Sequence, residues 1–104
     1  MKTEYFDKYV DDVCRIFRIN KRTLFSKTKK HHASRARQFL IYLCSLRKIP
    51  NVYIQTLLSK EGYDVGHSTI IYSIKNVRER VKADKDYDKI INSVLNMPTT
   101  DDLA

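Results

Sequence analysis

His67, Ser68 and Thr69 open a segment, GHSTIIYSIKNVRERV at residues 66 to 81, whose remaining residues follow helical apolar spacing. A small polar cluster at a helix start neither packs a core nor favours helix, so its chemistry points outward. Short hydroxyls let a helix end approach closely and hydrogen-bond base edges or phosphates, and the threonine adds a methyl for a thymine methyl. Behind them Tyr72, Lys75 and Asn76 continue the same outward face. A local alternative exists, in which Ser68 or His67 merely starts the helix, Ser68 as N-cap; it occupies one residue and leaves the others without a role.

A second cluster, SKTKKHHASRARQ at residues 26 to 38, runs from a basic loop into the start of a helix. Lys29, Lys30, Arg35 and Arg37 put positive charge where a helix dipole disfavours it, a conflict that a bound phosphate removes, and Lys27 is a further candidate contact on the same loop. The loop lysines also suit a narrow minor groove. The alternative is that these long side chains bend away into water at a few tenths of a kcal/mol each. Catalytic frames are missing: the chain has no GxxxxGK[ST], no HExxH and no GxSxG. His31 and His32 are adjacent, so on a helix they diverge by about 100° and read as basic surface. No cofactor, nucleotide or metal is expected, and the protein is read as a binder with no catalytic residue.

Charge is distributed unevenly. From Val13 to Lys60 there is no Asp or Glu, and twelve Lys and Arg residues stand there. That stretch holds +12 and the remainder −4 of the net +8, an asymmetry that favours a polyanionic partner over a merely solvated face.

The elements that carry these clusters read as helices. Phe6, Tyr9, Val10, Val13 and Phe17 recur at helical steps, which predicts a helix over 4 to 18 with Thr3 as cap and Arg15 and Arg18 outside. Leu24 and Phe25 mark a short helix before an exposed loop. Residues 33 to 48 hold an apolar run from Phe39 to Cys44, the mark of a central helix. After Pro50, a short helix carries Val52, Ile54, Leu57 and Leu58, and residues 61 to 66 form a turn. In the opening segment the stripe is Ile70, Ile74, Val77 and Val81 with Ile71 beside it. A last helix surrounds Ile90, Ile91, Val94 and Leu95.

With two glycines, two prolines and no period-two alternation, 104 residues are expected to make one all-α domain of five or six helices over 1 to 97, followed by a frayed tail over 98 to 104. Cys14 and Cys44 fall at apolar helical positions and read as reduced core thiols. The chain has neither a membrane-length apolar run nor a signal-peptide core, which predicts a soluble intracellular, cytoplasmic protein.

At the two clusters the sequence resembles the C-terminal DNA-binding domain of the bacterial replication initiator DnaA, from about Val10 to Leu95. The resemblance is carried by Leu24-Phe25-Ser26-Lys27-Thr28-Lys29, by Ala36-Arg37-Gln38 and by Gly66-His67-Ser68-Thr69-Ile70 with Lys75 beyond. It implies monomeric binding to a short duplex site, a helix-turn-helix in the major groove and the loop in the adjacent minor groove. By it, Lys29 enters the minor groove, Arg37 and Gln38 hold phosphate, His67, Ser68 and Thr69 read bases, and Lys75 touches the backbone. Two departures bear on the site read. Gly66 stands where the family has an aspartate able to accept from a cytosine amino group, and Lys29 replaces an arginine fork. The turn before Gly66 is also longer than the family's. No residue of the family's AAA+ ATPase domain is present in this sequence, so the expectation is a free-standing reader of DNA that regulates replication or transcription, of bacterial, phage or mobile-element origin. A replication or transcription protein is a possible partner. Two other readings stay open: a charge-driven binder of single strands or RNA, and a module that docks on replication proteins.

Overall fold

Helix α1 (Lys2–Phe17) buries Phe6, Tyr9, Val10 and Val13 on one face, as the heptad-like spacing requires. The structure is a computed structural model that describes residues 2–28 and 30–96. The other described helices are α2 (Lys21–Leu24), α3 (His31–Leu46), α4 (Asn51–Lys60), α5 (His67–Ala83) and α6 (Lys85–Asn96), and no strand occurs among the described residues. Together they make an all-α bundle. The expected tail from Pro98 onward lies outside the described residues.

Helix α3 is the axis of the bundle. Phe39 to Cys44 are all buried, and α1, α2, α4 and α5 pack around them. Helix α5 lies against α3 and α4, and α6 rests on α5 and adds buried Ile91 and Val94 to the core. One apolar cluster contains residues from all six helices. A radius of gyration of 12.9 Å is that of a compact chain of this length.

Three helices stop in the same way. Beyond α1, α3 and α4 the residues Arg18, Lys48 and Gly62 take φ of 55°, 60° and 86°, in the left-handed region. The next residue then donates its N–H five positions back: Ile19 to the carbonyl of Cys14 at 3.1 Å, Ile49 to Cys44 at 3.2 Å and Tyr63 to Leu58 at 3.0 Å. These are Schellman endings, in which the residue after the left-handed one returns an apolar side chain to the helix. Ile49 is buried by this return.

The end of α6 has no basic residue of its own in its last turn. Lys8 Nζ and the Arg47 guanidinium come from elsewhere to meet the carbonyls of Val94 and Leu95, at 3.4 Å and 3.3 Å. Cations there face the negative end of the helix dipole. Lys8 also pairs with buried Asp12 at 2.7 Å, whose second oxygen accepts from Arg15 at 3.1 Å.

Some local expectations are corrected. Thr3 lies inside α1, because that helix begins before it and leaves no cap position there. Helix α3 starts at His31, two residues early, and the His32 ring bonds the Phe17 carbonyl and meets the Phe17 ring edge-on, so it closes α1. Val52 is 66% exposed and Ile71 is 51% exposed. Two residues on a helix are about 200° apart, so Val52 cannot share the face of buried Ile54, and Ile71 stands about 100° from Ile70. Among the described residues no helix is long and apolar enough to cross a membrane.

Candidate nucleic-acid interface

The loop after α2 is built on Arg37. Although charged, this residue is 5% exposed, and its guanidinium faces inward. One terminal nitrogen donates to the carbonyls of Leu24 and Ser26, each at 3.1 Å, and the other donates to the carbonyl of Thr28 at 2.7 Å. The loop therefore folds around a fixed fork, with Lys27 and Lys30 exposed on its outside. Hydroxyls complete it: Ser26 Oγ donates to the Thr23 carbonyl at 2.8 Å, and Thr28 Oγ1 accepts from the Lys30 N–H at 3.3 Å. Upstream, the Asn20 side chain caps α2 by accepting from the Thr23 N–H at 2.7 Å. Lys29 lies outside the described residues.

Arg37 was expected on a phosphate. In the structure it holds the loop instead, with three donors committed to carbonyls and one face covered by Tyr63, whose ring centre is 4.8 Å from the guanidinium carbon. The reason is its place on α3: four residues from Ala33 and from Ile41, it lies on the buried stripe. Arg35 is exposed on another side of the helix. Helix α3 has neither a side-chain cap nor an acidic residue in its first turn, so nothing on the helix itself neutralises its positive end.

The start of α5 is equally open. Gly66 is the N-cap, with φ −80° and ψ 164°, and supplies no side chain; His67, Ser68 and Thr69 follow as the first three helical residues and are all exposed. Ser68 is thus past the cap position, and the capping alternative does not describe this helix. Ile70 and Val77 anchor the helix, and buried Ser73 returns its hydroxyl to the Thr69 carbonyl at 2.8 Å. Tyr72, 61% exposed, and Lys75 extend the outward face, with Ile71 at its edge.

Gln38 joins the two halves. Its Oε1 accepts from Asn76 Nδ2 at 2.9 Å, which ties the second turn of α3 to α5. The turn before α5 is fastened to α4 by Gln55, which donates to the Val65 carbonyl at 2.9 Å, and by the Ser59 hydroxyl on Asp64 at 2.7 Å. Lys21, at the start of α2, pairs with Glu61 of the same turn at 3.2 Å. The structure therefore links the loop, the turn and α5, and the acids nearest them are engaged. The sequence reading passed over Lys21, Glu61 and Tyr63 as contributors. An aromatic residue in a turn whose other apolar side chain is Val65 was the available signal.

The fold and these surfaces define a small all-α protein with a basic loop and an uncapped polar helix start joined through α3. No family model and no solved structure matches the chain. Among curated proteins it is similar to the chromosomal replication initiator protein DnaA of Flavobacterium psychrophilum, with 28% identity over 94 residues that make up 88% of this chain. The chain corresponds to 18% of that protein's length. The resemblance to DnaA carried by the three motifs thus extends over most of the chain.

Proposed function

We propose that this chain binds double-stranded DNA at a preferred sequence. Helix α4, the turn and α5 act as a helix-turn-helix that sets the first turn of α5 in the major groove, while the loop from Ser26 to Lys30 follows the adjacent minor groove. The observation that carries this reading is the start of α5: three polar side chains in succession, exposed, none used as a cap, on a helix anchored by Ile70 and Val77 behind them. Ser68 and Thr69 hydrogen-bond base edges and His67 does so from the flank, with Ile71 offering an apolar edge to a thymine methyl. Lys75, Lys27, Lys30 and Arg35 hold phosphates, and Tyr72 lies along the backbone. Gln38 retains its amide N–H donors for a phosphate. Lys29, by resemblance, enters the minor groove. Arg37 acts through the loop it shapes.

The similarity to DnaA supports DNA binding and a link to replication in the cytoplasm; sites related to those of that initiator, regulation of transcription and a place at the nucleoid are further parts of this proposal. The glycine at position 66 removes one acidic base contact, so the preferred site differs at that position. The role is binding, with no reaction assigned.

Titration of duplex DNA at several salt concentrations tests the reading. Each phosphate engaged contributes about −0.9 to the slope of log K against log salt. Thr69→Ala is expected to cost roughly 1–3 kcal/mol on the preferred duplex and little on random duplex. A flat salt response, or an equal loss on both duplexes, contradicts it.

A further inference from the structure

The Tyr63 N–H closes α4, and its side chain reaches beyond the turn. Its ring projects from the segment that leads into α5 and lies on the face of Arg37, whose edge gathers the carbonyls of Leu24, Ser26 and Thr28. We propose that Tyr63 is a positioning residue for DNA reading: through Arg37 it fixes the offset between the basic loop and the start of α5. The inference rests on the duplex-binding reading and deepens it.

The turn is built to deliver that ring. Gly62, at φ 86°, reverses the chain, and the Tyr63 N–H returns to the Leu58 carbonyl at 3.0 Å, so the ring leaves the end of α4 in one direction. Any side chain at position 62 is strained at this φ, whatever the space around it. The rest of the turn is held to α4 by the Gln55 and Ser59 bonds, so its own position is set independently of the loop. The loop is then referred to the turn by the guanidinium on Tyr63, and α2, which leads into the loop, by the Lys21 to Glu61 pair at 3.2 Å. The first link is shielded, since Arg37 is 5% exposed; the second is on the surface and weaker.

A protein that reads two neighbouring grooves must hold its two reading elements at the offset the duplex presents. If the loop drifts, its lysines still find phosphates, but the minor groove is no longer entered at one place. Losing the Tyr63 ring should therefore blur reading on the loop side and leave the α5 side intact.

The minor groove can be altered by itself. Replacing adenine by 2,6-diaminopurine adds an amino group there and leaves the major-groove pattern of an A·T pair in place. The experiment uses the full chain and its selected duplex, with diaminopurine placed in turn at each adenine. Tyr63→Phe keeps the ring, Tyr63→Leu keeps apolar bulk without it, and thermal melts and circular dichroism check folding of both. The wild-type chain and Tyr63→Phe should lose about tenfold in affinity when the amino group sits under the loop. Tyr63→Leu should bind the unmodified duplex about tenfold more weakly and lose that penalty, whereas penalties from major-groove changes under α5 persist. An equal diaminopurine penalty in Tyr63→Leu and wild type overturns the positioning role. So does a wild-type chain that selects a duplex yet is indifferent to diaminopurine everywhere, which leaves major-groove reading standing. A wild-type chain that selects no duplex overturns the duplex-binding reading as well.

Discussion

Gly66 is free of any steric need to be glycine. Its φ of −80° is open to every residue, and an added Cβ meets nothing within 4 Å. An aspartate there could accept from a backbone N–H of the first turn of α5 and would gain a few tenths of a kcal/mol over glycine as a cap. Gly66→Asp should therefore melt at the same temperature or slightly higher. If α5 reads bases as proposed, a random-duplex selection with this variant should enrich a cytosine-containing pair at one position where wild type is indifferent. A destabilised variant would contradict the geometry, and an unchanged selected site would contradict the role given to position 66. Residue by residue, the sequence was informative about type and less so about direction. The exposed trio at the start of α5 is legible because polar residues there have nowhere else to go. Arg37 is not, because its charge suggests solvent while its spacing from Ala33 and Ile41 puts it inside. Its burial is tolerated because three loop carbonyls accept from it.

The helices themselves were legible to within a few residues, since periodicity in α1, α3 and α5 is strong. What escaped was how they end. Arg18 and Lys48 occupy left-handed positions that glycine fills at no steric cost, and nothing in their residue types announces it. A left-handed L-residue costs about 1–2 kcal/mol, from which the extra unfolded-state entropy of glycine takes back about 0.4–1 kcal/mol. Lys48→Gly is therefore expected to stabilise the fold by about 0.5–1 kcal/mol, read from denaturant midpoints at constant slope. A loss of stability would mean that Lys48 holds a contact worth more than its strain. The faces of the short helix α4 were also not legible: Val52, Ile54, Leu57 and Leu58 do not form one stripe, and Val52 stands exposed on the side away from buried Ile54.

At the scale of the molecule, one core joins all six helices, and the titratable groups inside it give the fold a pH limit. Burial pushes the Cys44 thiol up to about 12 from an ordinary value of 9.0. Burial also raises the Tyr9 phenol, with the Arg47 guanidinium opposing the shift. A group whose folded value is raised stabilises the fold fully below its unfolded value and loses that contribution as pH climbs through the folded value. Melting temperature should therefore be level from pH 7 to about 9 and fall progressively toward pH 12, with Cys44→Ala showing a shallower decline from its own starting point. An unchanged profile in that variant would remove the thiol from the account.

The same scale holds the charge asymmetry, which was readable from the sequence alone. Twelve positive charges and no acid lie between Val13 and Lys60; Lys27 and Lys30 stand exposed on the loop and Arg35 on α3, while Arg37 faces inward and Arg47 meets the end of α6. Charge by itself attracts any polyanion; choice among duplexes requires the polar trio. The most direct measurement is a competition at about 0.15 M salt, near physiological ionic strength, among a duplex selected from random sequence, the same composition scrambled, and either single strand. Specific duplex binders prefer their site by roughly 10³-fold or more. A preference of that order for the selected duplex is the predicted result. Equal affinity for the scrambled duplex, or stronger binding to a single strand, would contradict it.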